Sequence, residues 1–236
     1  MKLKFIKPSS GTFYCFSPAV MIATFAIEII FAIYTLIKHR DKLWGKVIVF
    51  ILVCLALFQL AEYQVCSEVN QLAWARVGYV SITLLPPLGI TLTHIIAKKP
   101  LNTLLHKVSW LVALYFVFIY AFSPVSQIDP VCTGNYVIFK YKYLFTNGFL
   151  YSLYYFGLLF AAMIASYQWN KKGSKKVKKL SWALIIGYSV FIVPTVIANL
   201  VDPSTIYGIP SIMCGFAVIW ALILMLYIRP NLAKRH

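Results

Sequence analysis

Acidic residues are nearly missing from this chain. Six Asp and Glu stand against 22 Lys and Arg in 236 residues, and the charged types together reach only 12%. A soluble domain of this length needs a charged surface that such a composition cannot supply. Histidine is scarce too, with four in total, of which only His94 falls in a long apolar run. A zinc or haem centre needs several facing ligands, and the apolar runs do not hold them. None of these runs has a lysine at its centre, which excludes a retinal Schiff base. Also lacking are a glycine-rich phosphate loop, a Gly-x-Ser-x-Gly elbow and a Cys-x-x-Cys pair. These absences argue against an enzyme, and neither a metal nor a cofactor is expected.

Apolar length is what the chain has in quantity. Hydrophobic residues make up 61% and aromatics 17%, and the mean hydropathy is +0.79. A helix of roughly 20 apolar residues crosses a bilayer core. Seven stretches qualify, at about 15–37, 47–65, 77–97, 108–123, 146–169, 180–200 and 210–228. They are continuously apolar rather than alternating, which excludes a β-barrel. The predicted fold is an all-α membrane protein, a seven-transmembrane-helix bundle forming a single domain over residues 1–236. Short loops make consecutive helices antiparallel neighbours. Pro8-Ser9-Ser10-Gly11 separates the basic start Met1-Lys2-Leu3-Lys4 from an apolar run too long for a signal peptide, so the first helix should be retained.

The basic residues give direction. Lys38, Arg40, Lys42, Lys46, Lys98, Lys99, Lys107, the six lysines between Lys171 and Lys179, Arg229, Lys234 and Arg235 fall on one side; Lys2, Lys4, Lys7, Arg76, Lys140 and Lys142 fall on the other. That is 16 against 6, so the positive-inside rule places the N-terminus outside and the C-terminus in the cytoplasm. The Lys171–Lys179 run then reads as a topology signal touching anionic lipid headgroups, not as a nucleic-acid site. The expected location is a cell membrane, the bacterial cytoplasmic membrane.

On this topology the long connection at 124–145 is external. Asp129-Pro130 and Thr133-Gly134-Asn135 read as turns, and Tyr136–Tyr143 is dense in β-forming residues. A short external β-hairpin between helices four and five follows, either a lid on a site or a plain cover. Of five cysteines, Cys54 and Cys214 fall inside helices and pack as small apolar residues. Cys66 and Cys132 lie on the oxidising side and suit a disulfide, with Cys15 as the competing partner.

Ionisable groups at membrane depth are costly, and each is a functional candidate. Glu28 lies near the midplane of the first helix and Glu62 in the outer third of the second. Arg76 caps the third helix, within reach of Glu62 or Glu68. Bland readings stand beside these: Glu28 held neutral against a backbone carbonyl, Glu62 as a structural partner of Arg76, and His94 as an interfacial hydrogen-bonder. Pro86-Pro87 removes backbone donors in mid-helix and marks either a hinge or a static kink. Pro194 should bend the sixth helix. Tyr63, Trp74, Tyr79, Tyr151, Tyr154, Tyr155, Asn199 and Ser211 lie at outer depth, divided between an interfacial belt and a small-molecule pocket around Glu62.

The segment Ala61–Ile96 contains Trp74, Arg76, Gly78 and Tyr79 in a Trp-x-Arg-x-Gly-Tyr arrangement, followed by Pro86 and Pro87 halfway down the helix. It resembles the seven-helix sensor region at the N-terminus of certain bacterial histidine kinases. The resemblance implies reception of a stimulus by the helices and its transfer to a kinase. The chain departs from that family in carrying no kinase or phosphoacceptor region, so signalling requires a separate partner protein. The expected function is thus a membrane sensor or regulatory protein. It would bind a small ligand or lipid in the outer half near Glu62, Tyr63, Trp74, Arg76, Tyr79 and Tyr155. A small-solute or ion transporter using Glu28 and Glu62 is the alternative, and a purely structural assembly subunit is a third reading.

Overall fold

A computed structural model of the chain describes residues 18–122, 128–132, 137–141, 149–171 and 173–234. The apolar runs form helices α1 (Pro18–His39), α2 (Leu43–Cys66), α3 (Gln71–Ala97), α4 (Leu104–Phe122), α5 (Phe149–Lys171), α6 (Lys175–Val201) and α7 (Ile209–Ile223). With α7 taken together with the turns that continue it, these are seven spans long and apolar enough to cross a membrane. The protein is a multi-pass membrane protein.

Several helix ends differ from the sequence-based ones, for a common reason. Hydropathy marks the hydrocarbon core, whereas the helices run on through the polar interface. Thus α2 begins at Leu43 rather than 47, α3 at Gln71 rather than 77, α4 at Leu104 rather than 108 and α6 at Lys175 rather than 180. Three of these added turns, on α2, α3 and α6, have a local anchor. Trp44 is buried against the His39 ring, 4.6 Å away. Gln71 donates from Nε2 to the Val65 carbonyl at 3.0 Å. The Ser174 hydroxyl caps α6 by accepting from the Val177 N–H. At their far ends, α1 and α5 each run two residues beyond the predicted limit.

The seventh span carries a feature that hydropathy does not mark. After Ile223 the chain makes one π-turn, Leu224–Ile228, before the short helix α8 (Arg229–Ala233). The widened turn sets Met225 Sδ 3.2 Å from the Thr35 hydroxyl, and the Arg229 guanidinium lies 4.5 Å from the Tyr34 ring centre. Both contacts tie the end of the seventh span to α1.

Helices α2, α3 and α7 form the inside of the bundle, while α1, α4, α5 and α6 turn broad apolar faces outward. On α1 the buried residues Met21, Thr24, Glu28, Ala32 and Thr35 fall at intervals of three and four, a single inward stripe. Opposite faces such as Ile30 and Ile37 are open to lipid. Close approach between α6 and α7 depends on Gly187, since a Cβ there would collide with the Trp220 ring.

Helix α3 passes unbroken through Pro86 and Pro87. Proline at 87 cannot donate to the carbonyl of Thr83, one turn earlier. The Tyr154 hydroxyl of α5 donates to that carbonyl instead, at 2.5 Å. Thr91 and Thr93 add side-chain hydrogen bonds to the Pro87 and Gly89 carbonyls, at 2.8 and 2.9 Å. Tyr154→Phe should therefore cost about 1 kcal/mol, by leaving a buried carbonyl unmatched. Denaturant titration in mixed micelles measures it; an unchanged midpoint would mean the carbonyl is satisfied in another way.

Strands β1 (Ile128–Cys132) and β2 (Val137–Tyr141) pair antiparallel, with Pro130 opposite Phe139 and Cys132 opposite Val137. Asp129-Pro130, read from the sequence as a turn, lies in β1. A two-stranded sheet has only edge strands, so a proline without an N–H is tolerated there. Residues 133–136, which include the predicted Thr133-Gly134-Asn135 turn, lie outside the described residues, as do Lys142, Tyr143 and Cys15. Cys66 and Cys132 stand at bonding distance with their Cα atoms 5.1 Å apart, fastening β1 to the end of α2. Cys54 and Cys214 are buried free thiols within helices.

Candidate functional site

Glu28 is an ionisable side chain enclosed within a membrane-spanning helix. It sits at mid-length of α1, is fully buried, and neither carboxyl oxygen has a hydrogen-bond partner. Glu62, one turn from the end of α2, is 2% exposed, and its Oε1 is likewise unmatched. In an antiparallel pair of helices these two residues lie about eight positions apart in level, or ~12 Å. Side chains lean toward the N-terminus of their own helix, and these N-termini are at opposite ends. The two carboxyls therefore lean toward each other, near enough for their charges to interact.

Polar groups of α2 and α7 surround them. Ser211 is a hydrogen-bond partner of Glu62. Gln59 donates from Nε2 to the Cys214 carbonyl at 3.1 Å, locking α2 to α7 beside the acids. The Cys214 thiol is buried within electrostatic range of both Glu62 and Glu28. Above Ser211 lies β2: the Val137 N–H donates to the Ser211 Oγ at 3.2 Å, and Val137 is fully buried. A serine hydroxyl that accepts from Val137 keeps its own proton for Glu62. One chain of hydrogen bonds thus runs from the strand pair to the carboxylate.

Arg40 and Asp41 form an exposed ion pair at 3.7 Å, between α1 and α2 and away from the acids. No group of three or more His, Cys, Asp and Glu capable of holding a metal ion occurs among the described residues. The acid pair is therefore a place where charging both carboxyls at once is costly.

The other residues singled out from the sequence fall into separate surroundings. Tyr79 is buried and stacks on Tyr120 of α4, ring centres 4.3 Å apart. Trp74 packs on the same aromatic cluster, which includes Phe116 and Tyr154. Tyr63, at the end of α2, is half-buried, and its carbonyl accepts from the Ser67 hydroxyl at 2.9 Å. Arg76 is half-buried in the first turns of α3. Tyr155 lines a central cavity of about 30 Å³ with Leu55, Gly89, Tyr188, Cys214 and Trp220. That space admits a water but not a drug-sized molecule. The structure brings Glu62 together with Glu28, Gln59, Ser211 and Cys214, and places Tyr79 and Trp74 on the α4-facing side.

At the other end of the bundle, His94 is fully buried and hydrogen-bonded through both ring nitrogens, to the Ile90 carbonyl and the Thr103 hydroxyl, each at 2.8 Å. Thr91 accepts from Trp110 Nε1 at 3.2 Å and meets His106 Nε2 at 3.1 Å. These contacts tie α3 to the start of α4, and they give His94 a structural part.

The chain matches no known family model and no curated protein.

Proposed function

We propose that the protein is a membrane sensor or regulatory protein whose stimulus is received at the Glu28–Glu62 pair. The single observation behind this reading is the pair itself, two carboxyls buried at membrane depth with three of their four oxygens unmatched. Two bare anions in hydrocarbon are prohibitively costly, so the site holds a proton or admits a small positively charged or hydrogen-bond-donating ligand. With the N-terminus outside and the C-terminus cytoplasmic, as the basic residues favour, the strand pair roofs the outer end and the basic loops face a separate signalling partner. The likeness of the Trp74–Pro87 segment to kinase sensor regions points the same way, and no catalytic role is assigned.

Purified full-length protein in nanodiscs, screened by thermal shift against pH and a panel of small cations and amines, tests this. At least one condition should stabilise the protein, and the shift should vanish in Glu28→Gln and Glu62→Gln. An identical shift in both variants would move the site elsewhere.

Transport is the second reading, favoured by the placement of the carboxyls at two levels of the bundle, as successive stations on a path. It requires solute or ion flux in reconstituted vesicles that Glu28→Gln reduces. Vesicles that stay tight across a broad solute panel would dismiss it.

A further inference from the structure

A groove of about 450 Å³ runs between α5 and α6 on the outward face of the bundle, away from the acid pair. Its α5 wall is Phe160, Ile164, Tyr167 and Lys171; Trp182 and Ile185 form the α6 wall. Phe160, Ile164, Tyr167 and Trp182 are each about half exposed. All lie within membrane-spanning helices, so lipid chains must cover them. The charge at one end of the groove gives that lipid a chemical identity.

Lys171 closes the groove at the end of the bundle opposite the strand pair, its ammonium 5.0 Å from the Tyr167 ring centre. Lys175 and Lys178 lie seven and four residues before Trp182, on the helical stripe that carries Trp182 and Ile185. Both are exposed, and both sit in the first turns of α6, where the helix dipole presents its positive end. Three cations and a helix N-terminus thus crown an apolar slot, whereas no acidic residue lies between Arg76 and Asp129 or between Asp129 and Asp202. A basic pocket between transmembrane helices, continuous with an acyl-sized groove, matches an anionic amphiphile. We propose that the α5–α6 groove is a binding site for one anionic phospholipid, its acyl chain against Ile164, Tyr167 and Trp182 and its phosphate among Lys171, Lys175 and Lys178.

Fluorescence quenching by brominated lipids tests this directly, because Trp182 lines the groove. The full-length protein is placed in vesicles of zwitterionic phosphatidylcholine containing a small fraction of brominated phosphatidylglycerol, or of brominated phosphatidylcholine. The Trp182 signal is taken as the difference from Trp182→Phe. Brominated phosphatidylglycerol should be favoured by about tenfold, and the preference should fall to twofold or less in the triple variant Lys171→Gln, Lys175→Gln, Lys178→Gln. The variant Lys98→Gln, Lys99→Gln, altered in a different loop, should keep the full preference. Millimolar inorganic phosphate should leave quenching unchanged. Equal quenching by the two lipids, survival of the preference in the triple variant, or equal loss in the Lys98/Lys99 variant would each overturn the site. Displacement by phosphate would show a free-anion site instead. Matching circular dichroism spectra exclude misfolding as the cause of any loss.

Discussion

Glu28→Met is expected to make the folded bundle more stable, by about 1–3 kcal/mol, the penalty for a buried polar group left without a hydrogen-bond partner. Most buried substitutions destabilise, so the sign of this one is informative. Glu28 is fully enclosed and its oxygens meet no donor. Met is unbranched and of similar length, fits irregular gaps and removes both orphan acceptors. Replacing an unsatisfied buried ionisable group by an apolar one of similar shape is neutral or favourable, whereas deleting a partner from a satisfied network is not. Thr35→Val is the comparison on the same stripe: it loses the contact with Met225 Sδ and should cost a few tenths of a kcal/mol. Reversible unfolding in mixed micelles reads both. A destabilised Glu28→Met protein would show that the carboxyl holds the bundle together and would remove the motive for reading it as a site. A stabilised protein that has also lost its ligand-dependent shift would show the stability–function conflict expected of a binding residue.

Most of the fold could be read from the chain because lipid leaves little choice. Every backbone group within the bilayer must bond inside its own segment, so a long apolar run is a helix. The ends were less legible, since Lys46, Arg76 and Lys107 interrupt hydropathy without interrupting the helix. The π-turn at Leu224–Ile228 was missed, although Pro230, which cannot donate to the Leu226 carbonyl one turn earlier, was an available signal. Pro86-Pro87 announced freed carbonyls, but the partner that takes one of them, Tyr154, depends on the rotation of α5. The same holds at the site. Depth along each helix separated Glu28 from Glu62 and set Glu62 beside Arg76. What joins the two acids is the opposite lean of their side chains and the common inward face of α1 and α2, neither of which residue spacing alone supplies. Ser211 was legible only as one polar residue among eight at outer depth, and Gln59 was missed. A glutamine three positions before Glu62 on the same helical face was the available signal.

Loss of the Cys66–Cys132 link should have the larger effect on stability, roughly 4 kcal/mol. The two cysteines are 66 residues apart, and closing a loop of that size lies between the ~3 and ~4.7 kcal/mol of 15- and 100-residue loops. The consequence for the site is more specific. A two-stranded sheet is marginal by itself. Without the link, β1 and β2 are held to the helices by non-covalent contacts alone, among them the bond from the Val137 N–H to Ser211. That bond is also the first step of the chain leading to Glu62. The double variant Cys66→Ser, Cys132→Ser leaves no unpaired thiol at either of the two positions. It should show faster hydrogen exchange at Val137, and Glu62 should react more readily with a water-soluble carbodiimide, while Glu28, deeper along α1, changes less. Restoring a covalent tether at the same two positions with a thiol cross-linker, starting from the reduced native chain, should reverse both effects. If Val137 exchange and Glu62 reactivity stay at native levels after the link is removed, the strand pair is a cover held by other contacts, and its fastening to α2 has no bearing on access to the acids.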